Sequence, residues 1–183
     1  MTREPQILSI QTLAKTRLFT IEGVDLEFAN GNRASFERLT GSSYGAILIV
    51  PLLDNNQFLL VREYSVGVEQ YELGFPRGKI EPNESAQDTV VRELKEEVGY
   101  GAKTLSRLRN VSLAPGYTNF KTQIFIARDL YPARLPGDEP EPLEVVPWAM
   151  SDVDRLLERR DFNDARCILA VYLLQEHLKG LGK

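Results

Sequence analysis

Around Ser85 the hydrophobic period of this chain changes, and that change limits the fold more than any other feature. Upstream, apolar residues alternate, as in Val24, Leu26, Phe28 and again Tyr71, Leu73, Phe75, which is the two-residue period of a strand. From 85 to 98 the apolar residues Ala86, Val90, Val91, Leu94 and Val98 recur at helical spacing on one face. Ser85 followed by Asp88 predicts a capped N-terminus, and Gly99 is placed as the C′ residue. Strand-like runs return at 105–113 and 122–127, followed by a Pro- and acid-rich loop at 135–144 and a further strand at 145–150. Ser151 with Asp154 predicts the cap of a second helix, and a third is expected over 164–179, ended by Gly180. Strands, helix, strands and two helices in that order predict an α+β or α/β sandwich with a mixed sheet.

Before the first helix, Asn30-Gly31-Asn32 separates two alternating runs and predicts a β-hairpin. Asp54-Asn55-Asn56, between the apolar runs 46–53 and 57–63, predicts a second. The 183 residues suit one domain with an appendage. The expected division is a β extension over 1–44 and one domain over 45–183.

Composition excludes several chemistries. One cysteine, Cys167, and one histidine, His177, leave no disulfide framework and no two-histidine metal site within a chain. Cys167 is expected in the core, His177 exposed near a helix end, and Trp148 packed in a strand. Carboxylates are abundant, 26 Asp and Glu against 22 Lys and Arg, for a net charge of −4. A catalytic metal here needs oxygen ligands, which favours Mg²⁺ or Mn²⁺. The acidic balance argues against nucleic acid as a partner. The longest apolar run, 46–53, is far below the ~20 residues of a bilayer span, so no membrane partner is expected. The first ten residues hold no apolar core of signal-peptide length, and the expected location is the cytoplasm.

The chemistry concentrates in residues 78–100. Glu93, Glu96 and Glu97 stand at i, i+3 and i+4 and share a helix face, read as lying away from the apolar stripe. Like charges so placed repel by a few tenths of a kcal/mol per pair, and a divalent cation reverses the sign. Glu84 stands at the helix mouth, where Arg92 can pair with it or with Glu96. Gly78 and the Pro82-Asn83 turn let the preceding loop approach that face, and its backbone carbonyls can complete an oxygen shell.

This string resembles the Nudix box, GX5EX7REUXEEXGU, in which U is a bulky aliphatic. Gly78, Glu84, Arg92, Glu93, Glu96, Glu97 and Gly99 match the fixed positions and Leu94 the first U; Tyr100 departs at the last, a packing position. At no more than about one in ten per position, seven fixed residues recur by chance at about 10⁻⁷. The resemblance implies the Nudix α/β/α sandwich and hydrolysis of a nucleoside diphosphate linked to another group. It implies Glu93, Glu97 and Glu96 as ligands of Mg²⁺ or Mn²⁺, with the carbonyl of Arg77 as a further ligand and two or more ions per site.

Flanking segments resemble the ADP-ribose pyrophosphatase branch: the N-terminal extension, which the resemblance implies pairs two subunits into a homodimer, VREY at 61–64, FPRG at 75–78 and Pro115. Runs such as YELGF, RELKEEVGYGA, DLYP and GDEPEPL resemble the NudE-type ADP-compound hydrolases within it. That likeness implies a small nucleotide substrate (ADP-ribose, NADH or a short diadenosine polyphosphate) with AMP as a product. It implies a general base on the acidic loop, at Glu139 or Glu141, with Glu96 as the alternative. Arg38, Arg62 and Arg77 are candidate phosphate contacts, and Tyr117 and Phe120 candidate stacking partners. Gly74 and Ser65 replace a glutamate and an arginine usual in the wider branch, which fits a broader ADP-X specificity. A GDP-sugar hydrolase and a non-catalytic nucleotide-binding module are the alternatives.

Overall fold

The computed structural model describes residues 3–41 and 44–181. It divides into two compact units, Met1–Gly45 with Val111–Thr122, and Ala46–Asn110 with Gln123–Lys183.

In the first unit β1 (Gln6–Lys15), β2 (Thr20–Glu27) and β3 (Arg33–Thr40) form an antiparallel sheet in that order. The Asn-Gly hairpin expected from sequence is the β2–β3 pair. Gly31 takes φ +82°, and Phe28 N–H donates to the Asn32 carbonyl at 2.8 Å. The strand before it is longer than the apolar runs suggested. Its residues Ile7, Leu8, Ile10 and Leu13 are each at least 42% exposed, so β1 offers an apolar edge. Residues of the 113–120 loop join this unit: Leu39 N–H donates to the Tyr117 carbonyl at 2.8 Å.

The second unit holds two sheets. One has the order β10 (Glu144–Ala149), β5 (Gln57–Ser65), β6 (Gln70–Gly74); the other β7 (Arg77–Lys79), β4 (Ala46–Pro51), β9 (Lys121–Pro132), β8 (Tyr100–Ser112). The hairpin predicted at Asp54-Asn55-Asn56 is therefore a corner. Asn56 makes the turn at φ +61°, Leu52 bridges to Phe58, and β4 and β5 then enter different sheets. The reason is burial: residues 47–50 and 58–61 are all within 3% of full burial. A two-stranded ribbon cannot cover both faces of such strands.

Alternation along β4 builds two cores. Ile47 and Ile49 pack with Leu59, Val61, Val90, Leu94, Val98 and Phe125. The helix α3 (Ala165–Leu181) also contacts β4, and Phe58, Phe75 and Phe162 form a chain of rings with centroids 5.4 and 6.3 Å apart. Cys167 is fully buried, as expected. The third helix continues through Gly180, which does not enter the left-handed region that stops a helix. The second, α2 (Val153–Leu157), lacks the cap predicted at Ser151. Trp148 Nε1 instead donates to the Asp152 carbonyl at 3.0 Å, and a 3-10 turn leads the chain in. No helix among the described residues is long and apolar enough to cross a membrane.

The first helix, α1 (Ala86–Glu93), starts as the sequence predicts, with Ser85 Oγ accepting from Asp88 N–H at 3.1 Å. It does not stay α-helical to Val98. Residues Leu94–Val98 form a π turn, closed by Gly99 N–H donating to the Leu94 carbonyl. At the helix mouth Arg92 grips Glu84 with both edges of its fork, Nε to Oε1 at 2.9 Å and Nη2 to Oε2 at 3.0 Å. Thr89 Oγ1 adds a third bond at 2.8 Å. Chiefly through Arg92, the Glu84 carboxyl is held down at about 2.

Removing this anchor generates a pH-dependent test. A carboxyl depressed from 4.5 to about 2 contributes stability above pH 4.5 that is lost as pH falls towards 2. Glu84→Ala should lower unfolding free energy at pH 7 by about 1.5–3 kcal/mol, the range for hydrogen bonds to charged groups. Urea denaturation should show the gap between variant and parent closing as pH falls from 4.5 to 2.

Candidate functional site

The short segment from Leu73 to Lys79 carries the centre of the site, and separate elements pin it. Leu73 N–H donates to the Asp161 carbonyl at 2.6 Å. Phe75 N–H donates to Cys167 Sγ at 3.3 Å. Ile49 of β4 donates to the Pro76 carbonyl at 2.9 Å, and Leu48, Ile47 and Ala46 pair with Arg77, Gly78 and Lys79. The first helix lies against this segment. A Cβ on Gly78 would stand 1.8 Å from Glu93 Oε1, so only glycine admits that carboxylate. Arg77 N–H donates to Glu97 Oε2 at 3.0 Å.

Glu93 and Glu97 are 8% and 5% exposed, which corrects the expectation that the glutamate face turns away from the apolar stripe. Glu93 stands three residues from Val90 and Glu97 three from Leu94, so both border that stripe. Burial pushes the Glu97 carboxyl up to about 9, with the neighbouring Glu93 charge the next contribution. Burial likewise raises Glu93 to about 7, against the opposing pull of Arg92. Arg92 also bridges Glu93 and Glu96, its Nη1 donating at 2.8 and 3.0 Å.

Among the described residues no three acidic, Cys or His side chains form a ready-made metal cage, and Arg92 joins Glu84, Glu93 and Glu96. The donor set nonetheless fits a hard divalent cation. It is all oxygen, partly desolvated, and destabilised in its ionised form by burial and mutual repulsion, which a bound cation offsets.

The three loop glutamates have three different surroundings. Glu139 lies close enough for its charge to raise both Glu93 and Glu97. Glu141 accepts a 2.7 Å hydrogen bond from Tyr71 Oη. Glu144 pairs with Arg62 at 2.8 Å. The arginines read as phosphate contacts already have partners. Arg62 also holds Asp161 at 2.8 Å, Arg77 holds Glu63 at 2.8 Å, and Arg38 holds Glu22 at 2.8 Å.

Tyr117 and Phe120 belong to the first unit with Arg38. Tyr117 is 74% exposed. Phe120 is half-buried over Gly41, where a Cβ would meet its ring at 2.3 Å. His177 is not the exposed residue expected: it is half-buried, and its Nε2 is enclosed without a hydrogen-bond partner among the described residues. Trp148 is half-buried under the Arg159 guanidinium, 5.7 Å from its ring centroid.

The sequence reading missed Glu63 and Tyr71. Glu63 adds to the rise on Glu97 and takes the Arg77 guanidinium. Tyr71 was read only as an alternating strand residue. Its pairing with Tyr64 across β5 and β6 was within reach of the pattern, but its bond to Glu141, 70 residues away, was not.

The chain is similar to known proteins along its length. Residues 5–38 match the NudE-type Nudix hydrolase N-terminal domain, and residues 44–171 match the NUDIX domain. The chain is 50% identical to the ADP compounds hydrolase NudE of Escherichia coli over 99% of its own length and 97% of the relative's. It is 29% identical to the ADP-ribose pyrophosphatase of Bacillus subtilis, covering 92% of this chain and 94% of that one. A crystal structure of an ADP compounds hydrolase superposes with a TM-score of 0.93 at 49% identity, covering 100% of this chain and 98% of that chain. The mixed-sheet α/β architecture with its N-terminal sheet is that of the ADP compounds hydrolase structure, and the chain belongs to the Nudix hydrolase family.

Proposed function

We propose that this enzyme hydrolyses the pyrophosphate bond of ADP-linked compounds such as ADP-ribose, NADH and short diadenosine polyphosphates, releasing AMP. The observation that carries the reading is the full-length similarity to an ADP compounds hydrolase, with every glutamate of the helix retained. The reaction needs a divalent cation, as in the rest of the family. Glu93 and Glu97, with Glu96 and the Arg77 carbonyl, would hold Mg²⁺ or Mn²⁺, two or more ions per site. Bound there, the metal would supply charge neutralisation at the pyrophosphate and a more acidic water.

The chain's own groups do the rest. Arg92 restrains Glu93 and Glu96, which fixes their rotamers. Glu139 is the favoured general base: its charge reaches Glu93 and Glu97, whereas Glu141 is engaged by Tyr71. Glu96 is the runner-up, since Arg92 already occupies its carboxylate. Tyr117, largely exposed on a backbone fixed to β3, is the better placed of the two aromatics to stack on a base. Phe120 is committed to Gly41. Arg38, Arg62 and Arg77 reach a phosphate only by sharing or leaving their carboxylates.

Chromatography of products from ADP-ribose, NADH and diadenosine triphosphate with Mg²⁺ should show AMP. No AMP from any of the three sinks the proposal, and cleavage of a GDP-sugar in their place favours the other substrate class. Glu97→Gln should lower kcat at least about 100-fold, because even the outer partners of metal ligands cost 10–100-fold when removed. Its circular dichroism spectrum should be unchanged, and a parental kcat would refute the ligand assignment.

The exposed apolar β1 edge supports a homodimer formed through the N-terminal sheet. Light scattering at micromolar concentration should give twice the chain mass. Ile10→Lys, on that edge, should shift the protein to monomer.

A further inference from the structure

The acidic loop between β9 and β10 is fixed firmly at its two ends. At its start Ala133 N–H donates to the Gly99 carbonyl and Leu135 N–H to the Lys95 carbonyl, both at 3.0 Å. At its end Leu143 packs on the hydrophobic core and Glu144 pairs with Arg62. From 136 to 142 its hydrogen bond to the rest of the described protein is the one from Tyr71 Oη to Glu141 Oε1, at 2.7 Å. The donor is well placed to act as a post. Tyr71 pairs in register with Tyr64 across β5 and β6, and the two rings meet edge to face at 5.4 Å.

The sequence around the acceptor transmits that fixation. Glu139-Pro140-Glu141-Pro142 alternates glutamate with proline. Each proline locks its own φ near −65°. Each glutamate precedes a proline and is thereby confined to extended backbone. Few soft torsions therefore remain between Glu141 and Glu139, and an anchor on one sets the other. Glu139 also has a seat: its carboxylate folds over Gly137, where a Cβ would stand 2.1 Å from Oε2.

We infer that Tyr71 is a positioning residue for hydrolysis, holding Glu141 so that Glu139 is presented to Glu93 and Glu97. The inference rests on Glu139 being the residue that acts on the water. It divides the loop's acids by role: Glu139 works on the reaction, and Glu141 is the anchor that aims it.

The test uses Tyr71→Phe, which removes one hydroxyl and keeps the ring contact with Tyr64. With ADP-ribose and Mg²⁺, kcat should fall about three- to tenfold, within the range for one ordinary exposed side-chain hydrogen bond. KM should change less than about twofold. Hydrogen exchange at the amides of residues 137–141 should quicken while α1 stays protected. Glu141→Ala should reproduce both effects, and the double variant should be no worse than either single one. Unchanged exchange, unchanged kcat or additive losses would each overturn the inference. Glu139→Gln separates this from the underlying reading. A large loss of kcat there with a parental Tyr71→Phe refutes the anchor alone. A parental Glu139→Gln refutes the base, and the inference falls with it.

Discussion

Two carboxylates buried side by side set the terms for the rest of this structure. Glu93 and Glu97 are nearly inaccessible, and burial alone makes their ionised forms unfavourable. Much of the surrounding geometry answers that problem. Gly78 has no side chain because Glu93 occupies the place of one. The Arg77 peptide donates to Glu97. One guanidinium, Arg92, serves Glu84, Glu93 and Glu96 together. Glu84 stays ionised to low pH as a result, while Glu97, which receives only a backbone donor, is pushed furthest up. The imbalance is located where a divalent cation would correct it.

A site of this kind must be held rigidly, since carboxylates that drift apart lose a shared ion. The 73–79 segment has little freedom to drift. Its donors and acceptors go to the 158–164 loop, to α3, to β4 and to the π turn in succession. Asp161, whose carbonyl holds Leu73, is itself gripped by Arg62 and Arg159. The ion pairs of Arg62 thus tie β5, β10 and the segment before α3 into the scaffold on which the glutamates rest. The acidic loop is built in the opposite manner, firm at its ends and joined at its middle by a single exposed bond.

What could be read from the sequence was local. The start of α1 is a matter of Ser85, Asp88 and a helical period within one segment, and the glutamates of the box carry their spacing with them. The β2–β3 hairpin was legible because Asn30-Gly31 needs no distant partner. What could not be read depends on partners far along the chain. Arg62 looks like a free cation after an apolar strand until Glu144 and Asp161, 82 and 99 residues away, are brought to it. The same holds for the burial of Glu93 and Glu97, which requires the glycine loop and the core beneath it. The corner at Asp54-Asn55-Asn56 reads as a hairpin because turn chemistry reports the reversal and not which sheet the next strand joins.

These distant pairings change how an anion must be attracted. The sequence offers Arg38, Arg62 and Arg77 as phosphate contacts, yet each is matched by a carboxylate at 2.8 Å. A pyrophosphate drawn by any of them must displace an anion already in place, so the gain is only the difference between two ion pairs. A divalent cation among Glu93, Glu96 and Glu97 would displace nothing anionic, and it would offset the mutual repulsion of those carboxylates. Attraction of a pyrophosphate to a chain of net charge −4 would therefore rest first on a cation held there. The arginines, as they stand, hold carboxylates in place.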